Sequence, residues 1–292
     1  MTHFTRTALA SAALALAAAS AQAVTLVGLT SANQLAMIDT ANIAASTTTA
    51  ITGLAAGDRL VGIDLRPSNG KIYGISLSNN VYTVSEATGA VSFVAALSSA
   101  VISPSLGYGI DFNPVANFNP ANASLRLVSS AGSNYAVNAS TGAVGNAASN
   151  IGSGFTGVAY SNSMLMPAAA PASTALYYIN SSTDMLMMTS SGFNAPTISN
   201  VGALGVDVLQ ANGFELTGDS QAYAALNTDA GTSLATGIYS ISLSTGAATL
   251  LGTYNGTLSG LTVSAVPEPQ ALAMMVAGLL AVGMLARRRR QA

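Results

Sequence analysis

The sequence predicts an all-β protein, a five-bladed β-propeller that is closed by pairing between its N- and C-terminal strands. Three observations predict this fold. Glycine-led repeats recur along the chain, each repeat holds four short strand-like segments separated by turn residues, and the two ends of the repeat region are incomplete in complementary ways. Four-stranded repeats of this length are typical of propeller blades. The lead glycines are Gly62, Gly109, Gly157, Gly213 and Gly260, with steps of 47, 48, 56 and 47 residues.

The clearest repeat starts at Gly62 and predicts four strands. Its segments are GIDLRP at 62–67, KIYG at 71–74, VYTVS at 81–85 and AVSFV at 90–94, and a Thr-Gly turn precedes the last one. A second copy has GIDFNP at 109–114, LRLV at 125–128, YAVN at 135–138 and the turn STG at 140–142. Looser copies begin at Gly157 and Gly213.

The two ends of the repeat region complete one blade. Residues 25–54 offer three strands without a first strand, whereas residues 260–263 offer a first strand with nothing after it. We therefore expect residues 260–264 to pair with residues 24–29, which removes exposed strand edges. A β-sandwich of irregular hairpins or an open repeat array would show similar segments. A helix-rich body is not expected, because no long segment has a 3.6-residue period.

Charge and residue usage exclude several classes of function. Residues 24–265 contain four cations and ten carboxylates, a net charge of 4 − 10 = −6, which disfavours nucleic acid as a partner. The chain has no cysteine, so disulfides and thiol chemistry are excluded. The only histidine is His3, inside the N-terminal leader described next.

Residues 1–23 have the sequence pattern of a signal peptide. Arg6 precedes an apolar run at 8–19, and Ala21-Gln22-Ala23 supplies the small residues that a signal peptidase accepts, so cleavage is expected after Ala23. An uncleaved membrane anchor is the alternative. The mature body is then residues 24–265, long enough for one sizeable core or two small ones.

The sequence of the C-terminal segment, residues 266–292, predicts a removable membrane anchor. Pro267-Glu268-Pro269 precedes an uncharged stretch whose residues 271–286 would form a helix about 24 Å long, slightly short of the roughly 30 Å hydrocarbon core. Arg287, Arg288, Arg289 and Arg290 follow, and such a basic end stays cytoplasmic. This order resembles the PEP-CTERM sorting signal of Gram-negative bacteria. The resemblance implies transient anchoring in the inner membrane, cleavage near the motif by exosortase, and delivery to the cell surface or extracellular matrix.

The body also resembles a family of secreted bacterial domains of unknown function. The segments that carry the likeness are residues 58–67, 69–74, 109–114 and 125–129, and the likeness extends over most of residues 25–263. It implies propeller-like repeats and supplies no activity.

Three acidic residues are the candidate chemical site. Each lies two residues after a lead glycine, where equivalent positions of a propeller approach the axis, so Asp64, Asp111 and Glu215 are expected to converge. Ala159 and Thr262 occupy the other two positions. Oxygen ligands of this kind suit calcium, although no cofactor is required. Alternatively, Asp64 and Asp111 accept hydrogen bonds from the backbone of the Arg-Pro and Asn-Pro turns that follow them, or pair with Arg66 and Arg126.

The scarce arginines have two interpretations. Arg59, Arg66 and Arg126 are three of the four cations of the body. They either bind an anionic sugar or serve as partners of the carboxylates.

Three functions are compatible with the sequence. The first is a non-enzymatic cell-surface or matrix protein that presents its propeller to exopolysaccharide or surface proteins. The second is a secreted metal-dependent hydrolase or lactonase that uses Asp64, Asp111 and Glu215, a reading weakened by the absence of a histidine or cysteine base. The third is a carbohydrate-binding module.

Overall fold

The computed structural model describes residues 23–99, 101–145, 150–209, 213–218, 220–228 and 235–265. Most of the predicted signal peptide, with Ala21, lies outside the described residues. So do the Pro267-Glu268-Pro269 motif, the apolar stretch 271–286 and the four terminal arginines, and these assignments stay predictions. Within the described ranges, no helix is both long and apolar enough to span a membrane.

Five four-stranded antiparallel sheets form the blades. Blade 1 holds β1 (Thr25–Thr30), β2 (Gln34–Asp39) and β3 (Thr47–Ala50); blade 2 holds β4 (Leu60–Arg66), β5 (Lys71–Ser76), β6 (Asn80–Val84) and β7 (Val91–Ala96); blade 3 holds β8 (Tyr108–Phe112), β9 (Ser124–Ser129), β10 (Asn134–Asn138) and β11 (Val144–Gly145). Blade 4 holds β12 (Phe155–Tyr160), β13 (Leu176–Asn180), β14 (Met185–Thr189) and β15 (Ser199–Ala203); blade 5 holds β16 (Gly213–Leu216), β17 (Ala222–Leu226), β18 (Thr236–Ile241) and β19 (Ala248–Tyr254); the last strand, β20 (Leu258–Val263), returns to blade 1. Helix α1 (Pro114–Asn117) and two 3-10 turns, Ile43–Ala45 and Pro120–Asn122, lie between strands.

The blades surround one axis. The innermost strands are β4, β8, β12, β16 and β20, and each contacts the next around a closed ring. This arrangement confirms the predicted five-bladed propeller, and the sandwich and open-array alternatives are wrong.

Blade 1 is closed by the two ends of the body, as predicted. Strand β20 pairs antiparallel with β1, with Gly260 opposite Leu29 and Val263 opposite Leu26. The inner strand of blade 1 therefore comes from the C-terminal end of the body, and its other three strands come from the N-terminal end. Every innermost strand thereby gains a hydrogen-bonded neighbour within its own blade.

Burial falls from the axis to the outside. All seven residues of β4 are buried, whereas the outer strands β7 and β19 expose Phe93 (61%) and Leu250 (54%). The core consists of apolar layers between neighbouring blades, because the side chains of each radial sheet point toward the sheets on either side.

The lead glycines allow the innermost strands to approach each other closely. A Cβ atom on Gly109 would lie 3.0 Å from the backbone nitrogen of Val158 in the next blade. All five lead glycines line a cavity of only about 10 Å³ at the axis. That volume is at the lower limit for one water molecule, so the channel is closed to anything larger at this level.

Candidate site at the propeller axis

The three predicted carboxylates meet beyond the ring of glycines. Asp64, Asp111 and Glu215 lie on the innermost strands of blades 2, 3 and 5, and none is more than 3% exposed. Each offers one carboxylate oxygen, and these three oxygens lie within 4.8 Å of one another. The structure thus brings together the residues that the repeat alignment placed at equivalent positions.

Two of the carboxylates join neighbouring blades through backbone hydrogen bonds. The Phe112 N–H of blade 3 donates to Asp64 Oδ2 at 2.8 Å, and the Tyr160 N–H of blade 4 donates to Asp111 Oδ1 at 3.0 Å. These two donors lie in the next blade, whereas the sequence analysis placed the donors in the turns that follow the two acids. The edge of an innermost strand carries N–H groups without a strand partner, and these side chains supply acceptors for them.

Thr262 completes the same pattern in blade 1. Its Oγ1 accepts a hydrogen bond from the Leu65 N–H at 2.9 Å, and it lies 3.0 Å from Asp64 Oδ1 and 2.8 Å from Glu215 Oε2. A hydroxyl group has one proton and can donate to only one of these two carboxyl groups. For both contacts to be hydrogen bonds, the other carboxyl must carry a proton. Ala159 has no polar side chain, so blade 4 lacks the equivalent contact.

Burial controls the protonation of the three acids. Desolvation raises the pKa of Asp64 to about 7, against the lowering effect of its hydrogen bond from Phe112. The pKa of Asp111 is raised well above its ordinary value, first by burial and then by the charges of Asp64 and Glu215. The pKa of Glu215 is raised well above its ordinary value by burial and by Asp64. Burial therefore favours the protonated over the charged form of these carboxyls in the absence of a cation.

A long loop covers the carboxylate end of the axis. We call residues 161–175, which connect β12 to β13 in blade 4, the axis loop. Its Met166 N–H donates to the Pro67 carbonyl of blade 2 at 2.8 Å, and Leu165 packs against the apolar core of that blade. A Cβ on Gly218 of blade 5 would lie 2.9 Å from the Met164 Cα. Blades 2 and 5 are not neighbours, so the axis loop must cross the end of the axis. Sequence analysis missed this loop, although the additional residues between the first two strands of the repeat that starts at Gly157 indicated it.

The two buried arginines contact neighbours other than the predicted carboxylates. Arg66 donates from Nε to Asn117 Oδ1 at 2.7 Å, and its guanidinium lies 5.9 Å from the Tyr73 ring centroid. Arg126 donates to the Tyr160 hydroxyl at 3.4 Å and also to two asparagine side chains. Arg126 therefore contacts Tyr160 rather than pairing with Asp111.

A larger cavity opens at the opposite end of the propeller, where the innermost strands begin. We call it the rim pocket. It has a volume of about 290 Å³. The polar residues that line it come from blades 1, 2 and 3: Ser31, Arg59, Ser105, Tyr108, Thr257 and Ser259.

Comparisons with known proteins identify a family and distantly similar solved structures. A family model described as "Domain of unknown function (DUF4394)" matches residues 34–262. No curated protein matches the sequence. Among solved structures, the calcium-binding protein regucalcin from Agrobacterium tumefaciens is 15% identical, with a TM-score of 0.39 over 77% of this chain and 68% of that one. A protein of unknown function from Bacteroides thetaiotaomicron is 11% identical, with a TM-score of 0.41 over 77% of this chain and 57% of that one. PorZ, a surface component of the type-IX secretion system of Porphyromonas gingivalis, is 11% identical, with a TM-score of 0.38 over 82% of this chain and 30% of that one.

Proposed function

The chain belongs to the family described as a domain of unknown function, DUF4394, which assigns no activity, and from the predicted terminal signals and the closed axis we propose that it is an exported, non-enzymatic surface or matrix protein. In this proposal a signal peptidase removes residues 1–23, and exosortase recognises Pro267-Glu268-Pro269 and releases the body from its inner-membrane anchor. The released propeller binds exopolysaccharide or other surface proteins at the cell surface or in the matrix.

The closed axis is the observation that supports a binding role over a catalytic one. The only clustered acids of the described residues are at most 3% exposed, and the glycine ring leaves about 10 Å³ on one side of them. The axis loop covers the other side. A hydrolase needs an open position where substrate reaches its acid, base or metal. The exposed surfaces of this protein are its loops and outer strands.

The alternative, a metal-dependent hydrolase or lactonase, depends on calcium binding at the three carboxylates. Calcium takes six to eight oxygen ligands at about 2.3–2.6 Å, including water or substrate in an active site. Here Asp64 Oδ2, Asp111 Oδ1 and Glu215 Oε1 each accept a backbone N–H. Thr262 Oγ1 also lies within hydrogen-bonding distance of two of the three carboxyl groups, and both contacts can be hydrogen bonds only if one of these carboxyls carries a proton. The described residues therefore fit protonated carboxyls better than a calcium ion with open coordination positions.

We expect calcium to leave the thermal stability of the protein unchanged. If a site with a millimolar dissociation constant bound calcium only in the folded state, the free energy of unfolding would rise by about 2.7 kcal/mol between chelated protein and a calcium concentration about 100 times that constant. Differential scanning calorimetry at pH 7, with magnesium as the matched control, measures this. A melting temperature that rises with calcium and not with magnesium would restore the metal site and, with it, the hydrolase alternative.

Processing and location are tested by fractionating cells that make the full chain and measuring the intact mass of each pool. We expect a body that starts at Val24, lacks Arg287 to Arg290, and lies at the surface or in the medium. The matched control is the chain with Pro267 and Pro269 changed to alanine, which should remain in the inner membrane. If the unaltered chain kept Arg287 to Arg290 and all of it remained in the inner membrane, the sorting proposal would be overturned.

A further inference from the structure

The rim pocket is open and lies at the end of the axis opposite the carboxylates. Its walls come from the starts of β4, β8 and β20 and from the loops that lead into them. About 290 Å³ is close to the lower limit of small-ligand pockets, about 300 Å³. A pocket of this size suits one unit of a longer chain, the rest of which would lie in solvent.

Hydrogen bonds fix one wall of the rim pocket. This wall is formed by residues 104–107, whose loop leads into β8. The Val101 N–H donates to Asn79 Oδ1 at 2.7 Å, and the Ser103 N–H donates to the Tyr108 hydroxyl at 2.6 Å. A pocket with fixed walls loses little conformational entropy when a ligand binds.

The opposite wall is held in the same way. The Ser31 N–H donates to the Thr257 carbonyl at 2.9 Å, which joins the two loops of blade 1. The Leu77 N–H donates to the Arg59 carbonyl at 2.8 Å, so the backbone of Arg59 is fixed while its side chain is exposed. The backbone that carries Ser31, Arg59 and Thr257 therefore has a stable position before any ligand arrives.

Among the cations of residues 24–265, only Arg59 is exposed at this end of the propeller. Of the four cations in residues 24–265, Arg66 and Arg126 are each 4% exposed. Lys71 is exposed, but it pairs with Arg66 across β4 and β5 and so lies at the carboxylate end. Among the residues that the structure describes, the Arg59 guanidinium has no ion-pair partner.

The lining matches the chemistry of an acidic sugar. Ser31, Ser105 and Ser259 offer hydroxyl groups, whereas Val61, Pro104 and Leu106 offer apolar surface. A pyranose ring presents hydroxyl groups at its edge and C–H groups on its faces, and a guanidinium binds a carboxylate through two parallel hydrogen bonds. We propose that the rim pocket binds a uronic acid unit of an acidic polysaccharide, with Arg59 holding its carboxylate. This inference rests on the proposed surface function and specifies its ligand class.

Calorimetric titration of the full chain with a tetramer of galacturonic acid tests the proposal. We expect saturable binding that weakens about tenfold or more in Arg59→Gln, because the variant loses the charge-assisted pair. Lys71→Gln is the matched control, since it removes the other exposed cation at the far end, and it should bind like the unaltered protein. The methyl-esterified tetramer, which has the same shape without the charge, should bind the unaltered protein and Arg59→Gln equally weakly. Unchanged melting temperatures establish that both variants fold.

Three results would overturn the uronate assignment. Equal losses in Arg59→Gln and Lys71→Gln would mean that only overall charge matters. If polyglutamate bound as tightly as the acidic tetramer, the pocket would recognise the negative charge and not the sugar. No saturable binding up to about 10 mM tetramer would remove the ligand altogether. In each case a protein still found at the surface would keep its proposed location and function, and only the ligand class would be wrong.

Discussion

The free energy of unfolding should fall as the pH rises from 5 to 8. Burial raises the pKa of Asp64 to about 7 and raises those of Asp111 and Glu215 well above their ordinary values, whereas the unfolded chain returns them to about 4. Between these values the folded state holds protons that the unfolded state has released. The associated stability is complete below pH 4 and is lost as the pH rises through the folded-state values. The loss is about 1.4 kcal/mol for each pH unit and each such proton. Urea unfolding at pH 5, 6, 7 and 8 measures it.

The variant Asp111→Asn should reduce this loss and be more stable than the unaltered protein at pH 8. An asparagine Oδ1 can still accept the Tyr160 N–H, and the amide removes one of three neighbouring acids. Asp39→Asn is the matched control. Asp39 is exposed and its Oδ1 accepts the Ala41 N–H, a bond that asparagine also preserves, so the pH slope should not change. Stability that instead rises toward pH 8 would contradict the raised pKa values of the three acids.

The fold was predictable because each blade of a propeller has the same four strands, so the sequence pattern of one blade recurs in the others. Each lead glycine marks the point where a strand approaches its neighbour, and the complementary ends of the body indicated how the ring closes. Pairing of Leu26 with Val263 and of Leu29 with Gly260 confirms that closure. Local turn residues also carried information, since Gly89 and Gly142 both have φ values near +70° (+69° and +74°) in the Thr-Gly turns.

The candidate site was only half predictable. The position two residues after each lead glycine identified Asp64, Asp111 and Glu215, because equivalent positions of a repeat share one environment. Which backbone groups they accept from depends on how one blade is rotated against the next, and one blade's sequence does not encode that. The axis loop and the rim pocket depend on loops that differ between repeats. Arg59 could be singled out as a scarce cation, but its exposure at the rim required the structure.

Replacing Gly213 with alanine should destabilise the propeller by about 3 kcal/mol or more, because the added methyl group meets atoms that cannot move aside. Its Cβ would lie 2.5 Å from the Leu261 backbone nitrogen and 2.6 Å from the Gly260 carbonyl carbon, and closer still to the Leu261 Cβ. These atoms belong to β20, the strand that closes the ring, so relief of the clash would require separation of blades 5 and 1. Urea unfolding at pH 6 measures the change, and resistance to proteolysis reports it if little folded protein is recovered.

Gly62→Ala is the matched control, since Gly62 is also a lead glycine on an innermost strand. The three atoms nearest to a Cβ there are side-chain atoms of Ile110, at 3.2–3.5 Å, and these can shift by a change in side-chain torsion. We expect a change within about 1 kcal/mol, partly offset by the lower entropy of the unfolded alanine chain. The contrast depends on the five innermost strands being in contact around a filled axis. If Gly213→Ala were tolerated as well as Gly62→Ala, blades 5 and 1 would have to be further apart in solution, and a substrate-sized channel to the three carboxylates would become possible.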